Sequence, residues 1–429
     1  MRLRIKNVDI VTIDSDNQII MDGNIYIEDE IITHIGEELK EYKVDETIDG
    51  KHMIALPGLI NAHTHMGMSL LRNYADDLPL HQWLTEKIWP VESKLTSQDI
   101  YWGSLLSMTE MIQTGTTTFC DMYFFMDEVG KGAEESGIRA MLTRGIVEDR
   151  NQPDKKLDES RELFNRYHKA SNDRLRVMIA PHAPYTCSPE FLIKAKELAS
   201  ELGTGIHIHL SETEKEVQES YEMYGKSPIE HVFDLGVFDV HTLAAHCVHV
   251  SEKDIEIMAK KGVHAVNNPA SNMKLASGFA PVQKMIDKGI YVSLGTDGAS
   301  SNNNLNMFKE LNLAALINKA MDKNAISVKA EDAIKMATVN GARGLQWEEQ
   351  IGSLEVGKRA DIILVDMDKP HLIPKHNLLS ALAYSVYGSD VDTVLVDGKI
   401  LMKNREMVTI DTEKVKYMAQ KQAMELVSR

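Results

Sequence analysis

Apolar and polar positions follow two different periods along this chain. The first 55 residues hold runs that alternate in the manner of strands, RLRIKNVDIVTID, GNIYIEDEIITHIG and TIDGKHMIAL, parted by Asp, Asn and Gly turns. These predict β-strands. Two C-terminal runs, KRADIILVDMD and VDTVLVDGKILMKN, have the same character. Between the ends, short apolar runs alternate with amphipathic helical patterns such as SPEFLIKAKELASEL and SEKDIEIMAKKG. That alternation signals a parallel sheet covered by helices.

The middle region offers strands at Leu59–Ala62, Thr117–Asp121, Arg139–Arg144, Leu175–Ala180, Gly205–Leu210, Thr242–His246, Val263–Asn267 and Ile290–Gly295. Eight is the number that closes a (β/α)8 barrel of the TIM type. The expected architecture is therefore α/β: a barrel over residues 57–351, with a small flanking β-sandwich domain built from both chain ends, 1–56 plus 352–429. The chain from Met307 to Leu345 reads as helical. The stretch NQPDKKLDES, Asn151–Ser160, reads as a surface loop.

A formal net charge of −17 argues against a nucleic-acid backbone or an anionic membrane as partner, so any cationic site must be local. Three cysteines, Cys120, Cys187 and Cys247, with no CxxC, fit free thiols in a reducing cytoplasm better than disulfides or a thiolate zinc cluster. The N-terminus lacks a secretory h-region, and no apolar run nears the ~20 residues of a membrane helix. The expectation is a cytoplasmic protein.

In such barrels the chemistry sits at the C-terminal ends of the strands. Read in order, those ends carry His63 and His65, Asp121, Arg144, His182, His209, His246, Asn267 and Asp297. Residues i and i+2 of an extended segment point the same way, so His63 and His65 can reach one metal ion while Thr64 points away. His207 and His209 repeat the spacing; His207 lies one step deeper, as a packed core histidine or a group behind the ligands. Asp297 precedes a Gly/Ser/Asn-rich loop, as a turn aspartate or as a carboxylate facing the same cavity. Three imidazoles and a carboxylate suit Zn²⁺, with Fe²⁺ or Mn²⁺ as alternatives. Glu212 follows His209 by three residues, near a helix start that Ser211 and Glu214 would cap. His246 ends its strand where it could polarise a water; His249 is a weaker candidate.

Taken together, PGLINAHTHMGMSLLR, HIHLSET, AAHCVH and SLGTDGASSNN resemble, in order, the motifs of the amidohydrolase superfamily in its aminohydrolase branch. Over nearly the whole chain the resemblance is nearest to the 5-methylthioadenosine/S-adenosylhomocysteine deaminases. It implies one zinc per subunit held by His63, His65, His209 and Asp297. Binuclear relatives carry a carboxylated lysine at the end of the fourth strand, where this chain has Ala180-Pro181-His182. It further implies hydrolysis of the adenine C6 amino group of a 5′-modified adenosine, with Glu212, His246 and Asp297 moving protons. For the substrate it implies Glu92 on the ribose diol, Trp83 near the 5′ side, His182 at the purine–ribose edge and Ser301 at the purine end. An arginine, Arg144 or Arg150, would hold a 5′ carboxylate. Taken alone, Glu92 also reads as an exposed helix residue near Lys94, and Trp83 as core. Association of barrels into a homo-oligomer is compatible with the resemblance. A sister aminohydrolase acting on guanine, cytosine or an s-triazine is the nearest alternative. A non-catalytic scaffold would be expected to lose ligands that this chain keeps, and a His-x-His β-barrel dioxygenase would need an all-β chain.

Overall fold

The computed structural model describes residues 1–149, 151–152 and 154–429. Eight parallel strands form one sheet in sequence order: β1 (Leu59–Thr64), β2 (Thr116–Tyr123), β3 (Arg139–Ile146), β4 (Leu175–Pro181), β5 (Ile206–Leu210), β6 (Thr242–His246), β7 (His264–Asn267) and β8 (Val292–Leu294). Each lies within two residues of its predicted span. No β8–β1 ladder is formed among the described residues. The seam is bridged instead by polar groups. Thr296 N–H donates to Asn61 Oδ1 (3.0 Å), Asn61 Nδ2 to Thr296 Oγ1 (2.7 Å), and Asp297 N–H to the His63 carbonyl (3.0 Å). Gly295 permits this approach, since a Cβ there would lie 2.4 Å from Asn268 Oδ1 and 2.8 Å from the His63 carbonyl oxygen.

The strands are apolar on both faces because helices cover the outside and a second core fills the inside. Ile60, Ala62, Cys120, Met141, Met178, Leu243 and Val266 fill the barrel interior, with Trp347 and Ile351 packed against them. The covering helices begin and end where local chemistry allows. Ser188 caps Pro189–Leu202, and Gly203 ends it at φ 65°. Ser251 and Asp254 form a reciprocal capping box on Glu252–Lys261. After β8 come helices Met307–Asp322, Ala330–Met336 and Val339–Gly344, as the pattern predicts. The predicted loop Asn151–Ser160 is corrected: a helix spans Lys155–Tyr167. It buries Leu157, Ser160, Leu163 and Tyr167, a three-to-four spacing that outweighs the polar, charged opening of the segment.

Both chain ends join in one nine-stranded sheet. The junction is Met53–Pro57 paired antiparallel with Ile362–Asp366. This sheet has its own apolar cluster, including Leu3, Ile5, Ile25, Ile27, Leu364 and Leu395. A buried ionic cluster ties it to the barrel. Arg139, the first residue of β3, bonds Asp361 through Nε (2.9 Å) and Nη2 (3.0 Å), and Asp397 through Nη2 (2.5 Å). The C-terminal helix Thr412–Ser428 packs on helix Ser97–Gln113, where Arg429 Nη2 meets Asp99 Oδ1 at 3.0 Å. No helix of the described residues is long and apolar enough to cross a membrane.

Candidate metal centre and active site

The strand ends deliver their polar residues to one point. β1 carries buried His63 and, one residue past its end, His65; β5 carries His209; β6 ends on His246; Asp297 lies three residues past β8. Asp297 and His246 occupy the left-handed backbone region, at φ 60° and 73°. Such conformations cost on the order of 1–3 kcal/mol and gather where a site dictates a direction.

Hydrogen bonds choose the tautomers. His65 Nδ1–H donates to the Met122 carbonyl (2.6 Å) and His209 Nδ1–H to the His182 carbonyl (2.8 Å). Carbonyls only accept, so each ring keeps its Nε2 lone pair for the cavity. Nε2 of His65 and of His63 lie 3.0 and 3.4 Å from Asp297 Oδ1. Ligand atoms of His63, His65 and Asp297 fall within 4.8 Å of one another, as do those of His63, His209 and His246. His63 Nε2 is buried without a hydrogen-bond partner. A buried nitrogen without a hydrogen-bond partner, aimed among converging donor atoms, suits a metal ligand, and the His/Asp donor set fits a divalent cation.

The other Asp297 oxygen is held away from the imidazoles. Oδ2 accepts from Ser271 (2.6 Å) and from Ser301 (2.7 Å). Burial pulls the Asp297 carboxyl up, but His63 and His65 outweigh it and hold it well below the carboxylate range. Burial pushes His63 down to about 3. Burial also opposes charge on His65, yet Asp297 raises it to about 9, so in the metal-free protein Nε2 holds a proton against Asp297 that a cation would displace to use the lone pair.

Glu212 stands beside this cluster. It is buried, with Oε2 3.8 Å from His246 Nε2, and burial raises its pKa. His246 is oriented from behind by Asn272, whose Oδ1 takes the Nδ1 proton at 2.8 Å. The turn that presents Glu212 is braced by Glu216, whose carboxylate accepts the Ser211 and Glu212 N–H groups at 2.9 and 2.8 Å. The helix cap is corrected accordingly: Thr213 caps Glu214–Tyr224 by accepting from Glu216 N–H, and Ser211 does not. Ser211 sits at φ 53°, outside the helix start.

Two adjoining cavities that share part of their lining lie beside the cluster. The inner one, about 100 Å³, is lined by His65, His182, His209, Glu212, His246, Asp297, Trp83 and Ser301 among others. The outer groove, about 1190 Å³, holds Arg144, Glu159, Asp127 and Arg166. Trp89, Glu92, Phe124 and Val147 line both. Glu92 thus stands at the join. Burial raises its pKa, and Tyr123 donates a short hydrogen bond to its Oε1. His182 presents its ring to the inner cavity with Nδ1 3.0 Å from Thr186 Oγ1, and burial lowers it to about 4.

The remaining predicted residues are placed as follows. Trp83 lines the inner cavity, buried, with its indole N–H on the Ala75 carbonyl (2.9 Å). Ser301 lines it too, its hydroxyl committed to Asp297 and the Gly298 carbonyl. Arg144 lies in the outer groove, paired with Glu159 at 3.0 Å. Arg150 lies outside the described residues. Tyr123, Ser271, Asn272, Glu216 and Thr143 escape the sequence reading. Only Tyr123 and Thr143 carried a signal, their position at or near a strand end.

The profile of the amidohydrolase family matches residues 54–401. The chain belongs to the amidohydrolase family. It is 59% identical over 431 residues, all of both chains, to a 5-methylthioadenosine/S-adenosylhomocysteine deaminase of Thermoanaerobacter pseudethanolicus. It is 49% identical to a 5′-deoxyadenosine deaminase of Methanosarcina mazei, covering 99% of this chain and 98% of that one. Among solved structures it resembles an adenosine deaminase from Xanthomonas campestris with bound zinc, at TM-score 0.96 and 32% identity over 100% of this chain and 99% of that one. As an amidohydrolase it has the barrel and flanking sheet expected from its sequence.

Proposed function

We propose that the protein is a metal-dependent aminohydrolase that removes the adenine C6 amino group of 5′-modified adenosines, giving the inosine analogue and ammonia. S-Adenosylhomocysteine, 5′-methylthioadenosine, 5′-deoxyadenosine and adenosine form the substrate class. The observation that carries this reading is the position of Glu92, at the join of a small inner chamber and a large outer groove. A base fits inward, beside Glu212, and a 5′ substituent outward, with the ribose diol at the carboxylate between them. The deaminase relatives support the same reading.

His63, His65, His209 and Asp297 would hold one divalent ion, zinc by donor type. Bound there, such an ion acidifies a water towards a pKa of ~7 and so supplies a nucleophile at neutral pH. The protein's own residues do the rest. Glu212, whose pKa burial raises, is the acid placed to give a proton to purine N1 and make C6 electrophilic. His246, fixed by Asn272, turns Nε2 towards the attacking water. Asp297 Oδ1, whose partner oxygen is occupied by two serines, would take the water's first proton and pass it to the departing amine, and the proton left on the C6 hydroxyl returns to Glu212 as the C6 carbonyl forms. Glu92 accepts hydrogen bonds from the 2′- and 3′-hydroxyls. His182 Nε2 meets the purine–ribose edge. Arg144 in the outer groove receives a carboxylate on the 5′ substituent.

Ammonia release tests the reading. Zinc-loaded protein is incubated with each of the four nucleosides and with adenine, guanine and cytosine. Release from the nucleosides, absent with the bare bases and abolished by chelation, is the expected result. No ammonia from any adenosine compound overturns it.

A further inference from the structure

His207 is the one member of the two His-x-His pairs that the reaction leaves without work. It is fully buried inside the barrel, and its Nε2 lies 2.9 Å from His63 Nδ1. Its own Nδ1 lies 3.3 Å from Thr143 Oγ1 and 3.4 Å from Cys120 Sγ. Other ligand rings of the cluster lean on backbone carbonyls, which can only accept. His63 leans on another imidazole, which can accept or donate, so its tautomer is decided one step further back.

Thr143 decides it. Its hydroxyl proton goes to the Asp121 carbonyl at 2.7 Å, which leaves Thr143 Oγ1 as an acceptor for His207 Nδ1–H. A neutral imidazole with its proton on Nδ1 has a lone pair on Nε2. That lone pair takes the His63 Nδ1 proton, and the free lone pair of His63 then lies on Nε2. This is the buried nitrogen without a partner that faces the cluster. The chain of donors runs from His63 through His207 and Thr143 to the Asp121 carbonyl, and the Cys120 thiol at 3.4 Å, a weak donor and weak acceptor, competes poorly with the Thr143 hydroxyl for His207 Nδ1.

We propose that His207, backed by Thr143, is a positioning residue that fixes the tautomer and ring direction of His63 for the metal, an inference that rests on the reading of His63 as a ligand. Groups that orient ligating histidines are worth about 10–100-fold in metal affinity. Without the relay, His63 can place its proton on Nε2 and turn a donor towards the cation.

Cobalt(II) titration of the metal-free full chain, followed by visible absorption and chelator competition, tests this. The set is wild type, H63A, H207M, H207Q and T143V, with melting of each metal-free protein as the folding control. Cobalt affinity is expected to fall about 10–100-fold in H207M with an altered spectrum. H207Q, whose amide oxygen can accept from His63, recovers most of it. T143V keeps the volume but removes the acceptor and weakens cobalt binding about 10-fold. Wild-type affinity and spectrum in both H207M and T143V overturn the relay. If H207M does not fold, T143V decides alone. Loss of cobalt in H63A with retention in H207M rejects the relay and leaves the ligand reading standing. A wild-type protein that takes up no cobalt rejects the ligand reading, and the relay falls with it.

Discussion

Glu92 is the side chain on which nucleoside and free base part. It is half-buried and touched by the Tyr123 hydroxyl, so only one face of the carboxylate is committed. Two hydrogen bonds from a cis-diol would each be worth about 1.5–3 kcal/mol to a charged acceptor. Glu92→Ala should therefore lower kcat/KM for 5′-methylthioadenosine by at least ~100-fold. Any residual turnover of free adenine should change less than ~3-fold. Equal losses on both would remove the diol from Glu92. At this scale the sequence showed the residues that end apolar runs. His63, His65, His209, His246 and Asp297 were legible because a barrel strand announces its C-terminal end. The groups that brace them were not. Ser271 meets Asp297 from 26 positions away, and Asn272 meets His246 from an equal distance. Nothing in the local pattern of a serine or an asparagine marks such a bond.

Helix Met307–Asp322 shows how one element can serve the site without touching it. Its Glu310 is buried and accepts from Ala270 N–H (3.0 Å) and from Asn302 Nδ2 (2.8 Å). Ala270 precedes Ser271 and Asn302 follows Ser301, the two serines on Asp297. One carboxylate thus clamps both loops. Burial raises Glu310 from 4.5 to about 7, against the pull of those hydrogen bonds and of Lys309, and with a contribution from Asp297. The sign follows from proton counting. Between these values the folded protein keeps a proton that the unfolded chain has lost. This group's share of stability is therefore full below pH 4.5 and declines as pH rises to about 7. At one pKa unit per ~1.4 kcal/mol the decline is roughly 3 kcal/mol at most. Glu310→Gln cannot ionise and lacks this slope. Its stability relative to wild type should improve between pH 5 and 7.5 in urea unfolding, although it starts lower for want of an acceptor. A constant difference across that range would show that Glu310 titrates normally. The helix itself was legible from its period. Its clamp was not, nor was the helix at Lys155–Tyr167, whose polar first turn reads as a loop until Leu157, Leu163 and Tyr167 are aligned on one face.

For the whole molecule the question is what couples the barrel to the sheet that the two chain ends build. The strand runs that make this sheet were legible, and so was their similarity. Their pairing was an inference from likeness, since the partners Met53–Pro57 and Ile362–Asp366 are some three hundred residues apart. The ionic seam beside them left no trace in the sequence. Arg139 looked like the polar start of a barrel strand, yet it is fully buried between Asp361 and Asp397, 222 and 258 positions away. Asp361 also accepts the Asp397 N–H at 2.9 Å, and Arg359 reaches Asp397 at 3.0 Å. A buried pair of this kind gains little over a well-packed apolar substitute, but removing one partner strands the other charge, at about 3–5 kcal/mol. Asp361→Ala should therefore cost up to about that much in urea unfolding, because the Arg139 guanidinium loses two of its bonds, keeps only Asp397 as a partner and cannot shed its proton. The seam lies at the start of β3, opposite the strand ends that carry His63 and Asp297. The folded variant should keep the wild-type kcat for ammonia release below its melting range. An unfolding free energy within ~1 kcal/mol of wild type would mean that water reaches Arg139 and that the two sheets are joined by apolar packing alone.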